Sequence, residues 1–253
     1  MHKLVLLFCC LVLSLSVRSQ SYSLSVGTYA EGHLGFILNQ NNYGFNEMRY
    51  QLYALPGGGI RIGHPIDLNH QLEAGIAYHV TGQKYQDVIS GIDHEKTVTL
   101  NYLQIPVFWR NTFSVIDTWQ GNTGQTYWYQ TFGLVLNALH RASTHWNTNK
   151  QETTMLDFIN PSGENPHTSI LSGRGNPENA RELFSFFDVS LGLGGGLDHY
   201  FNEYLHMTVE MRFQFGLLDI NNSNWRLTNQ SGKYGSSHQS SLGVQVGLWY
   251  DLE

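Results

Sequence analysis

Charge is scarce in this sequence: 13% of its 253 residues are Asp, Glu, Lys or Arg, against about 25% in an ordinary soluble domain. Cysteine is scarcer still, with Cys9 and Cys10 the only two, both at the extreme N-terminus. The body of the chain therefore has no disulfide framework and no cysteine metal site. Beyond residue 20 no apolar run approaches the roughly 18 residues of a membrane helix, which excludes a helical membrane protein. Basic residues number 14 against 20 acidic ones, for a formal charge of −6. Nucleic acid is not an expected partner, because affinity for it rests on basic side chains meeting phosphates. What is plentiful is glycine, at 26 residues, and aromatic side chains, at 13%.

The first residues form a unit of their own. Met1-His2-Lys3 is a short basic start, the apolar run 4–17 follows, and Arg18-Ser19-Gln20-Ser21 is small and polar. This is the grammar of a secretory signal peptide, cut after Ser19, with residues 20–253 forming one exported domain. The apolar run is too short for a comfortable membrane anchor. Cys9 and Cys10 lie inside it, after Phe8, rather than at a small-residue lipoprotein cleavage site. Loss of Lys3 and Arg18 with the signal brings the formal charge to about −8.

The rest of the chain alternates. In 184–218, Phe187, Val189, Leu191, Leu193, Leu197, His199 and Phe201 oppose Asp188, Ser190, Gly192, Gly194, Gly196 and Asp198; after a short turn at Asn202, Leu205, Met207, Val209, Met211, Phe213, Phe215 and Leu217 oppose His206, Thr208, Glu210, Arg212 and Gln214. A period of two means strands, and these exceed the roughly 9–11 residues of a tilted membrane-crossing strand. Further strands are expected at 22–38, at 49–63 with a bulge or bend at Pro56 and Gly57-Gly58-Gly59, at 66–83, at 97–111 with a bulge near Tyr102, at 125–140 and at 240–252. Eight strands result.

Long polar connections at 39–48, 84–96, 141–183 and 219–237 alternate with short ones near 64–66 and 202–203 and an intermediate one at 112–124. An eight-stranded antiparallel up-and-down transmembrane β-barrel with both termini in the periplasm places every long connection outside the cell. Phe108, Trp109, Tyr127, Trp128, Tyr129, Tyr200, Phe201, Tyr204, Trp249 and Tyr250 all cluster at the short-turn end, where an interfacial girdle belongs. A soluble lipocalin-like barrel would turn the apolar rows inward, but explains neither the strand length nor this clustering.

Tyr102-Leu103-Gln104-Ile105-Pro106-Val107, the glycine-rich Asp188-Val189-Ser190-Leu191-Gly192-Leu193-Gly194-Gly195-Gly196-Leu197, Glu210-Met211-Arg212-Phe213 running to Phe215-Gly216-Leu217-Leu218-Asp219-Ile220, and Leu242-Gly243-Val244-Gln245-Val246-Gly247-Leu248 carry a family likeness. With them the chain resembles the PorT-like outer-membrane β-barrel family of Bacteroidota. The resemblance implies an outer-membrane location, outer-membrane lipids as surroundings, and a non-enzymatic accessory or interaction role in type IX-like envelope protein secretion, with secretion-machinery proteins as partners. The chain departs from the pattern at Leu252-Glu253, where such barrels finish on an aromatic residue; Tyr250 stands in for it.

Arg49, Arg61, Glu73, Asp188, Glu210 and Arg212 lie on polar rows and are expected to form a structural network filling the barrel interior. No catalytic, cofactor-binding or metal-binding residue is assigned. The twelve histidines are scattered, and His64, His70 and His79 do not share a face. Gly192-Leu193-Gly194-Gly195-Gly196 lies mid-strand with no helix after it, so it cannot cradle phosphate and instead makes room for a bulky neighbour or lets the barrel bend. A lipid-modifying enzyme would draw on His140, Ser143, His145, Asp157, Glu164 and His167 in the long loop, and a small passive porin is a third reading.

Overall fold

The computed structural model describes residues 24–38, 49–89, 92–116, 124–148, 151–154, 180–225 and 234–252. The signal segment and the middle of the long loop, with Asp157, Glu164 and His167, lie outside the described residues. Among those described the chain is almost wholly extended: Ser25–Leu38 (β1), Arg49–Gln51 (β2), Ala54–Pro65 (β3), His70–Ile89 (β4), Ile92–Ile116 (β5), Thr126–Thr148 (β6), Gln151–Thr154 (β7), Phe187–Tyr200 (β8), Leu205–Gly216 (β9) and His238–Asp251 (β10). Eight of these are staves, each paired antiparallel with its neighbours in chain order, and β10 pairs back onto β1 to close the ring. Closure leaves no edge, so every stave satisfies its backbone donors and acceptors on both sides.

The two rows of each stave separate as their periodicity requires. Leu193, Met211, Phe132, Ile76 and Ile60 are exposed, whereas Glu73, Asp198, Glu210, Arg212 and Arg61 are at most 3% exposed. The apolar row faces outward, which overturns the soluble lipocalin-like alternative. The twelve residues of β9, rising about 3.3 Å each with a tilt of about 40°, span about 30 Å, the thickness of a bilayer's hydrocarbon core. This is an outer-membrane barrel, with an outside made for lipid and an inside made of hydrogen bonds.

At the end bearing the short turns, Trp128, Phe201, Tyr204 and Tyr250 form an outward rim, with Tyr204 and Tyr250 stacked at 6.1 Å. Phe108, Tyr129 and Trp249 were expected in that girdle and instead turn inward, each at most 3% exposed. Trp249 does so by donating its indole N–H to Thr208 Oγ1 at 3.3 Å. The tight turn before β4 is built on Asp67, which accepts from the backbone N–H groups of Asn69 and His70 and from His70 Nδ1 at 2.8–2.9 Å. The Asn69 N–H, then the imidazole, hold its carboxyl below the usual range.

Three expectations are corrected at the other end. The stretch 84–96 is not a long loop: β4 and β5 run on as a hairpin paired as far as Ile89 with Ile92. The segment 141–148 continues β6, and β7 returns along it. Pro56 and the three glycines keep unbroken register with β1, so β3 has no bulge there. The break comes earlier, between β2 and β3. The shift near Tyr102 exists, but the extra residue is His140 on β6. Within β5 the row does not switch, and Val98 and Leu100 stay on the inner side with Tyr102. Their apolar character marks a change in the interior, which becomes an apolar plug of Ile37, Tyr85, Val98, Leu100, Tyr102, Leu139, Phe184 and Ile220.

Glycine on β8 serves packing. A Cβ on Gly192 would stand 2.5 Å from Phe108 Cε1, so the Phe108 ring can fill the middle of the barrel only because that position is bare. Gly192→Val should destabilise the barrel by about 1–3 kcal/mol and lower the fraction that migrates as the folded, heat-modifiable form. Leu193→Val, on the lipid face, should leave that fraction unchanged; equal behaviour of the two variants would contradict the packing role.

Candidate functional site: the polar interior

The inward rows of the staves build a continuous chain of polar contacts. At the periplasmic end His206 Nδ1 lies 2.5 Å from Asp198 Oδ1 and its Nε2 is 3.6 Å from Asp251, with the ring stacked on Tyr200 at 4.4 Å. Asp198 also pairs with Arg110, whose other amino group is 3.3 Å from Glu73. Glu73 in turn is 3.6 Å from Arg61, and Arg61 donates to Gln245 Oε1 at 2.7 Å. Gln245 passes the contact to Glu31, which meets His79 Nδ1 at 2.6 Å. A second branch joins Arg212 to Glu210 at 2.7 Å, with Thr131 and Tyr129 hydroxyls donating to the same carboxylate at 3.0 and 3.2 Å. Aromatic faces take up what the carboxylates leave: Arg61 lies 3.9 Å from the Tyr29 centroid, Arg110 3.8 Å from Tyr129, and Arg212 4.0 Å from Phe108.

Of the six residues expected to share a network, Arg61, Glu73, Glu210 and Arg212 converge here. Arg49 does not: it is exposed on β2, above the ring. Asp188 is buried but apart from the guanidinium groups, accepting from Gln239 Nε2 at 2.6 Å and from the backbone N–H groups of Val189 and Leu218 at 2.8 and 3.1 Å. It pins the outer ends of β8 and β10 together. Three central members, Arg110, Asp198 and His206, were not assigned from sequence, although each stands on a polar row next to an aromatic cluster. Above them Gln104 donates to Asn137 at 2.9 Å and Asn137 to Ser190 at 2.7 Å, and the apolar plug follows.

Below the Arg110–Asp198 pair the barrel opens into a cavity of about 390 Å³ at the periplasmic mouth, lined by Ser25, Asp67, His70, Gln71, Tyr127, Tyr200 and Asp251 among others. Of the residues raised for lipid chemistry, His140, Ser143 and His145 lie on β6, with both histidines exposed. A grouping not foreseen from sequence lies higher in the interior, where Glu31, His33 and His79 bring their ligand-type atoms within 4.8 Å of one another. Glu31 and His33 come from β1 and His79 from β4, two staves separated by β3.

No family model and no curated protein matches the chain. Among solved structures it is similar to Neisserial surface protein A, at 10% identity and a TM-score of 0.43, covering 92% of this chain and 100% of that one. It is also similar to the outer-membrane protein OprG of Pseudomonas aeruginosa, at 9% identity and a TM-score of 0.39, covering 91% and 96%. The N-terminal β-barrel domain of Pseudomonas aeruginosa OprF gives 12% identity and a TM-score of 0.37, covering 90% and 97%. At these values the barrel rests on its own strand pairing and on the faces its staves present.

Arg110 is the joint of the polar chain. Arg110→Met takes the shared cation away from the Glu73 and Asp198 carboxylates, leaving Glu73 only Arg61 and Asp198 only His206 as ion-pair partners among the described residues, and should cost about 3–5 kcal/mol, measured by urea unfolding of the detergent-refolded barrel. Adding Glu73→Gln and Asp198→Asn to that variant should recover part of the loss. A change below about 1 kcal/mol in the single variant would show the pairing to be incidental.

Proposed function

We propose that this chain is a non-enzymatic, PorT-like outer-membrane barrel that acts as an accessory or docking component of envelope protein secretion, meeting its partner outside the membrane. The observation that carries this is the contrast between a filled bore and a built extracellular extension. The bore is packed with paired side chains below and apolar ones above, as expected of an eight-stranded ring. Meanwhile β4, β5 and β6 continue beyond the lipid belt. On β5 the outward row changes from Leu103 and Ile105 to Asn101, Thr99, Thr97 and Glu95. The ten residues from Ile92 to Asn101 rise about 25 Å above that change. With β2 and β7 alongside, they form a five-stranded sheet in the order β2-β4-β5-β6-β7.

This extension is held firmly. Phe184 and Ile220, from the chain on either side of β8 and β9, sit in the plug under it, and Ser185 N–H donates to Ile220 O at 2.7 Å. On its outer face Tyr53 OH bonds Thr99 Oγ1 at 3.0 Å and the Lys84 ammonium lies 5.2 Å from the Tyr53 ring. A polar sheet anchored at its base and standing clear of the headgroups is a surface for a protein, and the resemblance points to secretion machinery as that protein.

A photo-crosslinker at Thr97 in living cells, with one at Asn202 in the periplasmic turn as comparison, tests this directly. Capture of a secretion component at Thr97 but not at Asn202 is expected, together with a secretion defect on deleting the gene. Normal secretion without the protein would overturn the role. In planar bilayers the purified barrel should give no steady conductance, and a steady open channel would favour the porin reading instead.

A further inference from the structure

We propose that Glu31, His33 and His79 form a site for one divalent transition-metal ion, Zn²⁺ or an ion of similar preference, inside the barrel. The site goes beyond the docking role and does not depend on it. His33 and the Glu31 carboxylate are buried, with side chains 2% and 7% exposed, and His79 is 4% exposed. The His33 ring is fixed by its Nε2, 2.7 Å from the Val80 carbonyl. A carbonyl only accepts, so Nε2 holds the proton and a neutral ring presents the bare Nδ1 lone pair on its other side. No hydrogen bond reaches that Nδ1 among the described residues, and the atom facing it at 3.4 Å is Glu31 Oε1. Two acceptors so placed repel unless a proton or a metal cation lies between them. A backbone carbonyl holding the far nitrogen of a ligating imidazole is also the usual outer support of a metal-bound histidine.

His79 directs its own Nδ1 to the same carboxylate oxygen at 2.6 Å, and its ring stacks on His33 at 4.1 Å and 11°. Charging both rings by protonation would bring two like charges face to face. One dication meets all three groups instead: two neutral imidazole nitrogens and one carboxylate oxygen, a donor set suited to Zn²⁺. A small polar cavity of about 10 Å³ lies beside His79, lined also by Thr81 and Ser190, and is close to the size of a single water. The backbone is arranged for the meeting. Gly57 on β3 pairs with Glu31 on one side and His79 on the other, and a Cβ there would collide with the Glu31 carboxylate. The bare position lets Glu31 reach across β3 to His79, so a bound ion would tie β1 to β4.

The test uses the mature barrel refolded in detergent after chelation, then loaded with Co²⁺ or Zn²⁺ during folding and freed of excess metal. One ion per chain is expected, with visible d–d absorption of low-symmetry Co²⁺ and a higher thermal midpoint for the Zn²⁺-loaded barrel. His33→Ala and Glu31→Gln should each weaken Zn²⁺ binding at least about a hundredfold, the upper end of what loss of a mere outer partner of a ligand costs, while keeping the heat-shifted migration of a folded barrel. His70→Ala, an exposed histidine in a periplasmic turn, should bind as the parent does. If the folded parent retains no more metal than His33→Ala, or if His70→Ala abolishes binding, the site is refuted.

Discussion

Inside a bilayer no water can satisfy a backbone N–H or C=O, and that constraint shapes everything else in this protein. It requires closure, which β10 achieves by pairing with β1 along fourteen residues. Closure at a period of two then divides each stave between lipid and interior, and it gathers the ion-paired side chains of the spanning region into one narrow space. Charge that is scarce in the sequence becomes dense there. Arg61, Arg110 and Arg212 share the bore with Glu31, Glu73, Asp198 and Glu210, and such a density is tolerable only when each group has a partner. The polar chain from Asp251 to His79 is the consequence of closure.

Much of this was legible because the two rows differ so strongly. A stave such as β9, with Met207, Val209, Met211 and Phe213 against Thr208, Glu210 and Arg212, has only one register compatible with a bilayer. The outer ends were not legible by the same reasoning. Polar residues at 84–96 and 141–148 read as loops because alternation of apolar and polar is lost once a strand leaves the lipid, where both faces can be wet. Val98 and Leu100 suggested a slipped register because an inward apolar residue looks, in sequence, like an outward one. In fact the interior changes character at Tyr102, from ion pairs to a largely apolar plug that the flanking segments at Phe184 and Ile220 complete.

The site was half legible for a related reason. Alternation says that Arg61 and Glu73 point inward, and adjacent staves make their meeting natural. It says nothing of height around the ring, so Arg49 was placed in a network that lies well below it, and Asp188 was grouped with cations when its partners are Gln239 and two backbone N–H groups. His33 and His79 stand on staves that are not neighbours, 46 positions apart in sequence, joined only because Gly57 leaves the intervening stave bare. A glycine that reads as a weak point in a strand is the feature that permits the contact.

The central claim is that the apolar rows face lipid and the charged rows face a sealed interior. Nitroxide labels placed singly at positions 205–215 along β9 in reconstituted liposomes measure this residue by residue. Collision with lipid-dissolved oxygen should be high at Met207, Val209, Met211 and Phe213 and low at Thr208, Glu210 and Arg212, with a water-soluble nickel reagent reaching neither set at mid-membrane. High nickel accessibility at the Met207, Val209, Met211 and Phe213 row, or no period of two in the oxygen profile, would contradict it.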